Sequence, residues 1–155
     1  MKRIVLVLSL LSCTSNEYRE GLLKLRWSPP AGVELQSEAT EGAVTVARFS
    51  GGVEVRSVAE QAKAATGDLD ALRTSLIAGG KLGELGEVKS ARTSSIRTGP
   101  VVQWELQSAS NRAQLYYVPG VGRYVLISLV GSGSGSDFNH RSDKLQLSLS
   151  TLSLR

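Results

Sequence analysis

The stretch Val101-Val102-Gln103-Trp104-Glu105-Leu106-Gln107-Ser108 decides how the chain is read as a fold. Val102, Trp104 and Leu106 fall on one side and Gln103, Glu105 and Gln107 on the other, the period-two alternation of a half-buried strand. Ala113, Leu115 and Tyr117 repeat the pattern within a strand over Ala113–Val118. Tyr124–Val130 is almost continuously apolar, which predicts a central strand within Arg123–Val130, covered on both sides. Gly86–Thr98 completes this block of strands, with turns at Asn111-Arg112 and Pro119-Gly120-Val121-Gly122.

Working towards the N-terminus, Leu22–Trp27 reads as a first strand. Ser28-Pro29-Pro30-Ala31-Gly32 breaks it, since proline removes a donor and glycine permits a turn. Val33–Ser37, Ala43–Phe49 and Val53–Arg56 follow as strands, with turns at Glu41-Gly42 and Gly51-Gly52. Ser57-Val58-Ala59-Glu60 has the spacing of a capping box and predicts a helix start. Gly67 interrupts that helix and Asp68 restarts it. Leu69, Leu72, Leu76 and Ile77 then share one face, and Gly79-Gly80 ends the helix. Near the C-terminus a helix is expected from about Ser136 to Leu147, then a short strand near Thr151–Arg155. The alternation of Leu145, Leu147 and Leu149 leaves an all-strand reading open there.

Strands, helix, antiparallel strands, helix is the order expected of an α+β domain: a single antiparallel β-sheet with helices packed on its faces. The layout of residues 20–155 resembles the PsbP-like fold, including small bacterial lipoproteins of the LpqN and DcrB type. The resemblance is carried by Trp27–Gly32, Ser57–Glu60 and Leu149–Leu154. It implies a non-enzymatic accessory or binding protein and offers no catalytic residues.

The N-terminus reads as an address. Met1-Lys2-Arg3 is a positive start, and Ile4–Leu11 is apolar apart from Ser9. That run is about eight residues, too short to span a bilayer, which takes about 20. Leu10-Leu11-Ser12-Cys13 resembles the lipobox of bacterial lipoproteins. The resemblance implies cleavage after residue 12 and acylation of Cys13, with residues 13–20 as lipidated cysteine and tether and 21–155 as one domain. Thr14 follows the cysteine, which by the enterobacterial sorting pattern implies the outer membrane, facing the periplasm. Cys13 is the only cysteine, so it has no disulfide partner within the chain. Loss of Lys2 and Arg3 leaves 16 basic residues against 14 acidic ones. Near-neutral charge without a basic run argues against nucleic acid as a partner, and Arg92, Arg97, Arg112 and Arg123 read as scattered surface positions.

No catalytic constellation is legible. His140 is the sole histidine, and zinc needs three or four clustered ligands, so no metal is expected. No G-x-S-x-G elbow occurs; Gly131–Gly135 puts glycine where the nucleophile would sit. In Gly79-Gly80-Lys81-Leu82-Gly83, Leu82 stands where a phosphate loop needs Ser or Thr. Glu84, Glu87 and Glu105 read as solvated carboxylates. Trp104 and Tyr117 are assigned to the core. Tyr116 and Tyr124 are read as facing the other way, as candidate ligand-binding residues in a groove between sheet and helix.

The expectation is therefore a lipid-anchored envelope protein that is not an enzyme. It needs no cofactor, and an envelope protein is its partner. A small hydrophobic-ligand or lipid-binding module is the alternative, and a cell-envelope hydrolase the third reading.

Overall fold

The computed structural model describes residues 17–19, 21–132 and 135–154. Its centre is the strand foreseen from continuous apolarity: β9, Tyr124–Ser132, in which Tyr124–Leu129 are all buried. Numbered in chain order, the other strands are β1 Tyr18–Arg19, β2 Leu25–Trp27, β3 Leu35–Glu41, β4 Val44–Phe49, β5 Val53–Val58, β6 Glu87–Ile96, β7 Gly99–Gln107, β8 Asn111–Pro119 and β10 Ser153–Leu154. Two helices accompany them, α1 Leu69–Ala78 and α2 Gly135–Ser148, with short 3-10 turns at Ser50–Gly52 and Leu149–Thr151.

The strands form two sheets. Seven antiparallel strands lie in the order β3-β4-β5-β9-β8-β7-β6, and a small sheet has the order β1-β2-β10. This corrects the expected single antiparallel sheet with helices packed on its faces, and with it the PsbP-like layout. The domain is mostly β, with only two helices among the described residues.

On one face, Phe49, Val55, Tyr116, Val125 and Ile127 meet Trp27 of the small sheet, Leu145 of α2 and Leu149 and Leu152 beyond it. The opposite face packs Val102, Trp104, Leu115, Tyr117 and Leu126 against Leu72 and Leu76 of α1, Ala65 and Leu82. The irregular stretch 59–68 therefore forms part of the cover where a longer helix was expected.

The capping-box reading fails because Ser57 belongs to β5. It is buried and pairs with Thr45 on one side and Val125 on the other. Strand pairing continues through Val58, and the Ala59 amide donates to the Ala43 carbonyl at 2.8 Å. The helix starts at the second signal. Asp68 Oδ1 accepts from the amides of Asp70 and Ala71, both at 3.0 Å, two donors the first turn cannot satisfy itself. At Gly52 a close approach fixes the residue type: a Cβ there would lie 2.2 Å from the Val130 carbonyl oxygen, and φ is +77°.

Candidate functional site

Cys13, the signal segment 1–12 and residues 14–16 lie outside the described residues. Near the start of the described residues, Tyr18 pairs with Trp27 and is buried against Phe49 with ring centroids 6.0 Å apart. Its hydroxyl donates to Glu38 Oε1 and accepts from the Leu23 amide at 3.2 Å. Burial, then the bond to Glu38, pushes its pKa up to about 12. The fold thus takes hold of the chain before residue 21, and Cys13 to Tyr18 spans about 18 Å at full extension.

Tyr116 and Tyr124 are not brought together. Tyr117 pairs with Leu126 across β8 and β9, and alternation puts Tyr124 and Tyr117 on the α1 face but Tyr116 on the α2 face. Tyr124 packs on Tyr117, ring centroids 5.3 Å apart. Burial, then the charge of Glu60, raises its pKa to about 12. The Tyr116 hydroxyl donates to Gln114 Oε1 at 2.7 Å, the atom that also accepts from Gln103 Nε2 at 3.1 Å. Gln103 Oε1 accepts from Arg92 Nε at 2.9 Å. Each ring is thus packed or hydrogen-bonded in its own core cluster, and the two share no groove. Trp104 and Tyr117 lie in the core as read from alternation.

The other candidates are dispersed. His140 is exposed on α2. Glu84 is exposed, Glu87 pairs with Lys89 at 3.0 Å, and Glu105 is half-buried on β7. Arg112 sits over the Phe138 ring at 4.8 Å, while Arg123 donates to the carbonyls of Leu23 and Lys24 at 2.9 and 2.7 Å. Among the described residues no group of three or more His, Cys, Asp or Glu is placed to hold a metal, and no helix is long and apolar enough to cross a membrane.

A concavity among the described residues is not foreseen in the sequence. On the α1 face, the cover formed by α1 and residues 59–68 reaches Val58 of β5 and Val44 of β4 and leaves Arg48 of the same wing exposed. Two adjoining clefts of about 440 and 480 Å³ lie there and share Arg48 and Arg56 in their linings. Val44 and Val46 line one; Leu82, Leu85 and Val130 line the other. Glu54 stands opposite Arg48 and two residues from Arg56, so strand periodicity puts all three on this face. Arg56 Nε lies 2.6 Å from Glu54 Oε1, and Arg48 Nε lies 3.3 Å from Glu54 Oε2. Arg56 Nη1 also donates to the Lys81 carbonyl at 3.3 Å, tying the strand to the loop after α1.

Two guanidiniums share one carboxylate above a partly apolar floor, and Glu41 in the lining of the second cleft balances the formal charge of the two clefts. The pairs are partly exposed, Arg48 by 60%, so each is worth at most about 1 kcal/mol to stability. The signal was present in Val53-Glu54-Val55-Arg56, where alternate positions are charged. Sequence alone did not show that they line a cleft.

No known protein family matches the chain, and no curated protein matches it. Among solved structures, a protein of unknown function, PA94 from Pseudomonas aeruginosa, is similar with a TM-score of 0.45 at 13% identity. The match covers 90% of this chain and 96% of that one. A likeness of this size carries no functional argument.

Proposed function

We propose that this chain is a bacterial lipoprotein, acylated at Cys13, whose domain is a non-catalytic module that holds an envelope protein partner. The partner docks on the β3–β4–β5 wing and presents an acidic side chain to Arg48 and Arg56. The observation that carries this reading is the cleft with two arginines bridged by Glu54. Its floor supplies modest apolar area and its rim supplies orientation, the division of labour found at protein-binding surfaces. The N-terminal charge, short apolar run and lipobox-like Leu10–Cys13 support the anchor. Stable attachment needs two acyl chains or one chain with a second signal. On this reading the domain faces the periplasm from the outer membrane, and the short span to Tyr18 keeps it near the leaflet.

The test is affinity capture of the full chain from detergent-solubilised membranes. Arg48→Glu with Arg56→Glu is expected to lose a partner that the unaltered chain retains, while Glu54→Gln strengthens retention by freeing both guanidiniums. Equal recovery by all three chains would overturn the assignment of the cleft. Cys13→Ala tests the anchor separately: it is expected to move the chain out of the membrane fraction.

A further inference from the structure

The large sheet has two open edges of opposite charge. β3 and β6 each pair on one side only, and both are exposed at nearly every position. Each carries an irregularity near its start, between Leu35 and Ser37 in β3 and between Val88 and Ser90 in β6. The regular runs that follow are Ser37–Glu41 and Ser90–Ile96. The first contains Glu38 and Glu41 and no cation. The second contains Arg92 and no carboxylate, and Arg97 follows it in the turn. Lys89 and Glu87, outside that run, neutralise one another.

Charges on edge strands ordinarily oppose edge-to-edge pairing. Here they oppose only some pairings. β3 against β3 sets carboxylates against carboxylates, and β6 against β6 sets guanidiniums against guanidiniums. β3 against β6 brings opposite signs together. The topology permits that pairing. Seven strands alternating in direction leave both edge strands running the same way. A copy added by translation therefore lays its β6 parallel to β3, with like faces of the two sheets on the same side.

We propose that copies of this chain associate head to tail, the β3 edge of one pairing with the β6 edge of the next, so that the seven-stranded sheet continues from copy to copy. Such an interface is heterologous and open, able to extend rather than close as a two-fold dimer. Each junction pairs only about five to seven residues, which makes it small and weak. Confinement on a surface would raise the effective concentration, although the pairing itself does not depend on the anchor.

The experiment is sedimentation of the full chain in non-ionic detergent, up to about 1 mM protein, where weak contacts register. The unaltered chain is expected to rise to at least twice the mass of the monomer and to return to monomer as salt screens the edges. Ala39→Lys with Glu41→Lys makes both edges basic; Ser94→Glu with Arg97→Glu makes both acidic. All four residues are exposed. Each double variant alone is expected to stay monomeric, and an equimolar mixture of the two to associate. Circular dichroism melting confirms that both variants fold; if either does not, the single changes Glu41→Lys and Arg97→Glu are used in the same way. A monomeric unaltered chain throughout, or variants that associate alone as well as when mixed, would overturn the proposal.

Discussion

Trp27 donates its indole N–H to Ser148 Oγ at 3.1 Å, across 121 residues of chain, and both side chains are buried. The serine hydroxyl in turn donates a hydrogen bond to the Leu145 carbonyl at 2.6 Å. Next to it, the Ser28 amide donates to Thr151 Oγ1 at 2.9 Å. These bonds join β2 to the end of α2 and to the turn leading into β10. The element that closes one face of the large sheet is therefore also the one that takes up the chain at Tyr18. Ser148→Ala leaves a buried indole N–H without a partner, a loss of about 1–3 kcal/mol. Urea denaturation followed by Trp fluorescence measures it, and a change under half a kcal/mol would show that the bond is not needed.

On the other face, Tyr117 holds the irregular cover. Its hydroxyl donates to the Lys63 carbonyl and accepts from the Lys63 amide, both at 2.8 Å. Tyr117→Phe removes both bonds while keeping the ring in the core. We expect about 1–2 kcal/mol less stability and faster tryptic cleavage after the exposed Lys63, because the segment opens locally more often. Unchanged cleavage would mean that Ala65 and its apolar neighbours hold the segment unaided.

The buried tyrosines predict loss of stability in alkali. Tyr18 and Tyr124 titrate near 12 in the folded chain against 10.0 for the free side chain, chiefly because burial disfavours the phenolate. Burial raises Tyr116 and Tyr117 as well. The folded state keeps protons that the unfolded state releases, so their stabilising contribution is whole below pH 10 and declines from there to about pH 12. Urea midpoints should fall between about pH 9 and about pH 11, and Tyr124→Phe should flatten the decline. A midpoint that stays level would contradict it.

Long, regular stretches were legible in sequence because local pattern and tertiary context agreed. The alternation from Val102 to Gln107 falls within β7, and the helix expected from Ser136 to Leu147 runs from Gly135 to Ser148. Asp68 and Gly79-Gly80 bracket α1 as read. Other features depend on partners distant in sequence. Ser57 satisfies a local helix signal, yet pairing with Thr45 and Val125 keeps it in a strand. Tyr116 and Tyr124 were assigned to one side because alternation fixes faces within a strand but not across the Pro119–Arg123 turn. The cleft was missed because Glu54 and Arg56 look like any solvated alternation until the limit of the neighbouring cover is known.

The proposed docking of a partner on the β3–β4–β5 wing is open to a direct test. A photo-crosslinking side chain placed at Val46, in the cleft, is compared in intact cells with one at Leu147, exposed on α2. The account predicts a discrete crosslinked protein at Val46 and none at Leu147. That product should be lost with Arg48→Glu and Arg56→Glu, and lost again with Cys13→Ala, which removes the proposed acylation site. The same products at both positions, indifferent to the arginines and to Cys13, would contradict it.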